Sequence, residues 1–442
     1  MNTRMISILA VGLLSASAAM ASQARQSVMG NQDPAGVLGG GSYGSFYYDD
    51  RNNMFYNPAY INDFKNWAAI EKTNGANGAN GGFVNNFGMV NVGFWFNRAN
   101  TWRGLNDINT ANNTGATTLN SVGYNANTMG ALTSGNDINS ATTGNNYRPW
   151  ELMIGGDMGV KWGLGMEMLT YKGRKIDSQE DSINDIVLKA GVSVMDIEPF
   201  LEYKIAGKLK DYGNPVNYVQ SLGLTGTTNG VGIGNATQVE AESKSFTAGV
   251  RYRFGEWTPF AAYRNDSFTI KTPADVVAVR RAKAFGFGTG RSMKAGEGTM
   301  LNYGLSFWRL VDGTAQAGHP TYNTAATTGV AQAAPTTAAQ AGRGGNSTSY
   351  MPISVAIETD ATSWLMLRAG LTHYIVAQDA YGSLAQATSG RMGAGLKLGK
   401  ATLDWAIGSL ASTSAAGATN LDGQTFDFSN GLFTNASLSY NW

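Results

Sequence analysis

The chain alternates apolar and polar residues over long stretches, most cleanly at its end. In Thr434-Asn435-Ala436-Ser437-Leu438-Ser439-Tyr440-Asn441-Trp442, every second residue from Thr434 to Trp442 is apolar or weakly polar, and those between are polar. Side chains of a strand alternate between its faces, so this predicts a strand with one greasy and one wet side. In residues 150–171, Trp150, Leu152, Ile154, Met158, Val160, Trp162, Leu164, Met166 and Met168 share one parity. Glu151, Asp157, Lys161 and Glu167 share the other, with glycines among them. That predicts two antiparallel strands with a tight turn near Gly159.

The pattern recurs. Ile186, Leu188, Ala190, Val192 and Val194 alternate with Asp185, Lys189 and Ser193; after Met195-Asp196 a return strand sets Ile197, Pro199, Leu201, Tyr203 and Ile205 against Glu198, Glu202 and Lys204, with Phe200 on the polar parity. A second hairpin runs through Phe246, Ala248, Val250, Tyr252 and Phe254, opposed by Thr247, Arg251 and Arg253, and turns at Gly255-Glu256. Its return, from Trp257 through Pro259 and Phe260 to Arg264, aligns with Ile197 through Pro199 and Phe200 to Lys204. Convergence on what suits a barrel rim, where proline's missing donor matters little near a strand start, is the first reading of this, and a true internal duplication is the second. Further strands are predicted around Val90–Phe96, Leu301 to Phe307, Ile353 to Ile357, Leu365 to Leu371, Met392 to Leu398 and Leu403 to Ile407; residues 276–288 are ambiguous. Polar stretches rich in Asn, Thr, Gly, Ser or Ala separate the hairpins at 100–147, 208–240, 312–349 and 411–430. Short turns thus alternate with long loops, as in bacterial membrane barrels. The expected fold is all-β, a single antiparallel transmembrane β-barrel of about 14 strands, with 12 to 16 compatible.

Composition sharpens this. Charged residues are 14% and aromatics 11%, with 57 glycines and no cysteine. Few charges suit a lipid-facing surface and glycines relieve curvature; the missing cysteines exclude a disulfide framework and a lipid-anchored N-terminal cysteine. No apolar run approaches the ~20 residues a helical span needs. Met1-Asn2-Thr3-Arg4, an apolar stretch to Leu14 and a close at Ala19-Met20-Ala21 form a secretory signal peptide, expected to be cut after Ala21. Without Arg4 the mature chain has 31 bases (32 − 1) against 31 acids, which argues against a nucleic-acid partner. The expected organisation is residues 1–21 signal, 22–70 an N-terminal segment and candidate lumen hatch, and 71–442 barrel.

If Val192 and Val250 face lipid, the opposite parity lines the lumen. Candidate pore-lining residues are Glu151, Asp157, Lys161, Glu167, Lys189, Glu198, Glu202, Lys204, Arg251, Arg253, Lys397 and Asp404. An Arg or Lys on the lipid face costs about 2–4 kcal/mol at mid-membrane, which fixes this sidedness. Charges of both signs suit a wet pore; the competing reading is a salt-bridge network sealing the interior. Phe254, Trp257, Trp364, Tyr440 and Trp442 are candidate membrane-interface aromatics. Catalytic chemistry finds little support. Of the two histidines, His319 lies in an Ala/Thr stretch beside Pro320 and His373 ends a strand, where a structural interfacial role is expected over a catalytic pairing with a nearby Ser; neither metal-ligand spacing nor a phosphate loop occurs, so no cofactor or metal is expected.

The alternating terminal strand that ends on Trp442 resembles the closing strand of Gram-negative outer-membrane β-barrels, and the glycine and asparagine content resembles porin-like major outer-membrane proteins. The resemblance implies an outer-membrane location, contact with lipid and lipopolysaccharide, recognition of the C-terminal strand by the assembly machinery, and a homo-trimer as one oligomeric state. Asn57-Pro58-Ala59, after an acidic and aromatic stretch, resembles the signature of the long-chain fatty-acid transporter (FadL-like) family, in which it sits in an N-terminal hatch plugging a fourteen-stranded barrel. Downstream, Ile61, Phe64, Trp67, Ala68 and Glu71 recur at helical spacing and predict a short helix. Three functions follow in order of expectation. They are a porin-type channel for passive diffusion of small hydrophilic solutes, a hatch-plugged channel for hydrophobic compounds, and a structural or adhesive surface protein.

Overall fold

The computed structural model describes residues 22–30, 44–72, 79–98, 149–172, 182–211, 239–271, 276–312, 346–379, 382–383, 388–411, 425–427 and 435–442. The strands are β1 (Trp67–Lys72), β2 (Ala79–Phe87), β3 (Val90–Phe96), β4 (Trp150–Asp157), β5 (Lys161–Lys172), β6 (Ser182–Ser193), β7 (Ile197–Asp211) and β8 (Val239–Tyr252). They continue with β9 (Trp257–Lys271), β10 (Val276–Gly296), β11 (Thr299–Asp312), β12 (Asn346–Asp360) and β13 (Leu365–Asp379). The next, β14, comprises Gly382–Ser383 and Thr388–Leu398, both paired with β13; β15 is Ala401–Ala411; and β16 comprises Thr425–Asp427 and Asn435–Asn441, both paired with β15. Each strand is antiparallel to its sequence neighbours, and β16 pairs with β1 from Trp67↔Asn441 to Lys72↔Ala436, which closes the sheet. Closure leaves no free edge, the condition for a sheet to sit in lipid.

The barrel has 16 strands rather than about 14. Two strands were unexpected, β1 and β2. The region from Trp67 was expected to be helical; instead a 3-10 helix ends at Asn62 and Trp67–Lys72 is a strand, because pairing with β2 and β16 on both sides outweighs a five-residue local periodicity. β2, with sequence ANGGFVNNF, has too few apolar side chains to signal a strand. The ambiguous stretch from Val276 belongs to β10, paired along both neighbours. Strands also run into the polar stretches expected as loops, with β7 reaching Asp211 and β8 starting at Val239, since ladder hydrogen bonds persist where alternation is no longer imposed.

Seven tight turns form one rim. Gly88, Gly159, Gly255, Gly298 and Gly399 take positive φ there, and Met195-Asp196 forms a two-residue turn at φ +48° and +67°, closed by paired hydrogen bonds between Val194 and Ile197. The chain end joins this rim, with Trp442 N–H donating to Asn66 O at 3.0 Å. The connections at the other rim lie outside the described residues, as do most of the stretches expected as long loops.

The two faces separate as alternation requires. Leu188, Leu201, Tyr203, Val250, Leu367 and Leu438 are exposed on the outside, while Lys189, Glu202, Lys204, Arg251, Arg368 and Ser437 are buried within. Nothing but lipid makes a continuous exposed apolar cylinder stable, so the wall is a membrane-spanning one. Leu201→Arg, outward on β7, is expected to lower stability by about 2–4 kcal/mol in vesicles, read from urea titration; a change within ~0.5 kcal/mol would place this face out of lipid.

Candidate functional site: a lumen crossed by the N-terminal segment

The inward face of the wall is short of side chains in one band. Gly155 of β4 pairs with Gly163 of β5, which pairs with Gly191 of β6, making a row of three glycines across adjacent strands. The N-terminal segment fills the space they leave. Its 3-10 helix Pro58–Asn62 lies on this row. A Cβ on Gly163 would overlap the Pro58 carbonyl, and one on Gly191 the Asn57 side chain. Asn57 caps the helix, its Oδ1 accepting from Ala59 N–H at 3.1 Å while its Nδ2 donates to Val192 O at 3.4 Å. Proline at the first helical position costs no donor. Asn62 Nδ2 donates to Trp162 O at 3.0 Å, and Asn91 Nδ2 donates to Asn62 Oδ1 at 2.8 Å. Asn57-Pro58-Ala59 therefore ties the segment to β5 and β6. Gly163→Leu is expected to lift the helix from the wall and speed amide exchange of Ala59 to Asn62 roughly tenfold or more, since overpacking costs about 1–3 kcal/mol; unchanged exchange would mean that the glycine row does not hold the helix.

Residues 46–49 bind the wall further round. Arg251 Nε donates to Phe46 O at 2.9 Å, and its Nη1 reaches Asp49 at 2.8 Å and Glu198 at 3.0 Å. Tyr60 OH donates to Glu198 at 2.6 Å, and Arg253 also pairs with Glu198. Phe46 packs at a tilt against Phe200 (5.5 Å) and Phe260 (4.9 Å) and edge-to-face against Tyr56 (4.8 Å). The two aligned hairpins thus give equivalent phenylalanines to one cluster, and this is why Phe200 breaks the polar parity of β7. Tyr47 lies over Gly290 and Gly304, where a Cβ would collide with it.

On the opposite side, helix α1 (Gln23–Met29) rests on β12 to β16. The Val28 carbonyl occupies the place of a Cβ on Gly370. Arg25 forks onto Glu358 with Nε at 2.8 Å and Nη2 at 3.2 Å, and pairs with Asp50 at 3.1 Å. Arg368 joins Glu358 and Asp404 (2.7 Å), so Asp50, Arg25, Glu358, Arg368 and Asp404 alternate in sign along one buried chain. Burial pushes the Asp50 carboxyl above its ordinary range against the pull of Arg25. The 3-10 helix Arg51–Phe55 bridges the two sides; Phe55 packs on Trp95 at 5.3 Å, and Arg51 stacks over Trp67 at 4.4 Å. Phe46, Met54, Phe55, Tyr56 and Ile61 have no exposed surface.

The wall charges fall into groups. Lys189 links Glu151 and Glu167 (3.2 Å), and Glu151 also holds Arg98 at 2.9 Å. Lys204 pairs with Asp185 at 3.1 Å, and Glu202 is buried beside Lys189 in the β6–β7 register. Glu198, Arg251 and Arg253 clamp the segment, while Asp404 ends the Arg25 chain. Lys161 pairs with Asp63 of the segment. Asp157 is exposed at a turn, accepting from Gly159 N–H at 3.1 Å, and Lys397 pairs with Asp360 at 2.7 Å near another. Those two lie at the turn rim, because the wall ends there. Phe254, Trp257, Trp364, Tyr440 and Trp442 are all exposed and cluster at the same rim. Arg25, Asp49, Asp50, Tyr60, Glu358 and Arg368 were not anticipated. The one local signal for them is glycine on the inward parity, which marks something seated against the wall.

No protein-family model matches the chain, and no curated protein sequence does. Among solved structures it is similar to the P. putida toluene transporter TodX, at 13% identity over 94% of this chain and 99% of that one, with a TM-score of 0.33. It is similar to the copper transporter OprC at 12% identity over 78% of this chain, TM-score 0.38, and spans 52% of OprC's length. The outer-membrane protein OmpT of Vibrio cholerae is similar at 9% identity over 85% of this chain and 95% of its own, TM-score 0.30.

Proposed function

We propose that the protein is an outer-membrane channel for small hydrophilic solutes, held closed at rest by its own N-terminal segment. The observation that carries the reading is the segment's path. Apart from the exposed Asp49 and Asp63, its described residues in 22–30 and 44–64 are buried or nearly so, and it is tied to opposite walls, to β12 through Arg25 and to β7 and β8 through Tyr60 and Arg251. A barrel of 16–18 strands has room for a channel when nothing fills it. The filling here is covalently part of the chain, so opening requires the segment to shift or leave. A hydrophilic cargo is favoured because the inward face beside the segment carries Glu151, Lys189, Glu202, Lys204, Arg264 and Asp266, and charged groups bind hydrocarbon poorly. The seating of Asn57-Pro58-Ala59 on the wall favours a second reading, a hatch-plugged channel for hydrophobic compounds.

Planar-bilayer recording and vesicle uptake separate these. The intact protein should be silent or show rare openings, and lipid vesicles carrying a form without residues 22–64 should take up amino acids or sugars well above protein-free vesicles, with no gain in uptake of an aromatic hydrocarbon. Steady large conductance with the segment still protected from protease would overturn closure. Selective hydrocarbon uptake would favour the second reading.

A further inference from the structure

Ser22 is buried in the lumen and caps α1, its Oγ accepting from Arg25 N–H at 3.0 Å. Its neighbour Gln23 donates its backbone N–H to Glu71 Oε1 at 3.0 Å. Glu71 stands on the inward face of β1 with 2% of its surface exposed, and Ser437 Oγ of β16 donates to the same oxygen at 3.2 Å. Its second oxygen, Oε2, has no hydrogen-bond partner among the described residues. Arg51 lies within electrostatic reach, but its guanidinium stacks over Trp67. A buried carboxylate oxygen without a donor is costly, so the site is short of a hydrogen-bonding cation.

We propose that signal-peptide cleavage between Ala21 and Ser22 supplies that cation: the new α-ammonium of Ser22 pairs with Glu71 Oε2 and locks the N-terminal segment into the lumen. Hydrolysis breaks the Ala21–Ser22 amide bond; the hydroxyl of water goes to the Ala21 carbonyl carbon and a proton to the Ser22 nitrogen. The resulting amine has an ordinary pKa of about 7.7–8.0 and takes up a further proton at neutral pH. One residue spans at most about 3.6 Å, so the Ser22 nitrogen lies within that distance of the Gln23 N–H already bound to Glu71. An ammonium at the start of a helix is repelled by the helix dipole, and a facing carboxylate offsets this. Before cleavage the same nitrogen is an uncharged amide, and the chain must continue from a buried position. Cleavage therefore tightens the seating of the segment, so that firm closure of the lumen follows maturation. This inference rests on cleavage after Ala21 and is independent of what the channel carries.

The test uses the full-length protein, processed and purified from membranes. Intact mass reads the first residue. Trypsin cleavage after Arg25 and Arg51, both buried, reads seating. One variant is Glu71→Gln; another inserts a serine between Ala21 and Ser22, leaving Glu71 intact and moving the amine by one residue. Both are expected to be cut roughly tenfold faster than wild type, and the combination no faster than either alone, because each removes the same pair. Resistance of the insertion variant equal to wild type would overturn the proposal, whether or not Glu71→Gln is cut faster, since Glu71 would then serve only the Gln23 N–H. A mature mass beginning at another residue would overturn it through its premise, leaving the proposed channel function untouched.

Discussion

Deletion of residues 22–64 is expected to turn a silent barrel into one with discrete conductance steps, raising mean conductance by roughly tenfold or more. The cut spares Asn66, whose carbonyl accepts from Trp442 N–H, and the whole of β1, which closes the sheet. The wall keeps much of its internal pairing: Glu358 and Asp404 retain Arg368, and Glu198 retains Arg251 and Arg253. What it loses is apolar cover on Phe200, Phe260 and Trp95, which then face water. The barrel should be less stable yet still closed, with an unchanged β-rich circular dichroism spectrum. A folded deletion variant that stays silent would show that residues beyond 22–64 close the lumen, and would remove the main support for the proposed function.

Arg251→Met is expected to release the segment without removing it. Arg251 is 1% exposed and joins four groups at once, namely Phe46 O, Asp49, Tyr60 and Glu198. Methionine keeps much of the volume but leaves Glu198, itself fully buried, with one cation fewer and the Phe46 carbonyl without its donor. Breaking a buried pair on one side costs about 3–5 kcal/mol. If that cost falls on the seated state, opening of the segment becomes roughly 10²–10⁴ times more populated. Trypsin cleavage after Arg51 measures it, and sporadic channel openings should accompany it. Adding Glu198→Gln should restore part of the protection, because the stranded charge is then gone. A single variant as resistant as wild type would mean that the glycine row and the Phe46 cluster hold the segment without the clamp.

Strand parity was legible in the chain from residue to residue. Each side chain's face depends on position modulo two, and lipid on one side penalises charge strongly enough to keep charges off that face. Leu188 against Lys189, Leu201 against Glu202 and Val250 against Arg251 all sort this way, as do the turns at Met195-Asp196 and Gly255-Glu256. β1 and β2 were not legible. β1 has only six residues and β2 few apolar ones, and both exist because neighbours in the closed sheet supply their hydrogen bonds.

Which lumen charges meet, and what they meet, was decided by the tertiary structure alone. Asn57-Pro58-Ala59 drew attention to its segment, but nothing local shows that Pro58 lies on Gly163 or that Asn57 reaches Val192. Tyr60 and Glu198 are 138 residues apart, and Arg25 and Glu358 are 333 apart. An inward carboxylate reads the same whether it faces water in an open pore or a guanidinium from a segment crossing it. Alternation is a property of each strand and survives in the sequence. Partnership across a lumen depends on closure of the whole sheet around one stretch of chain.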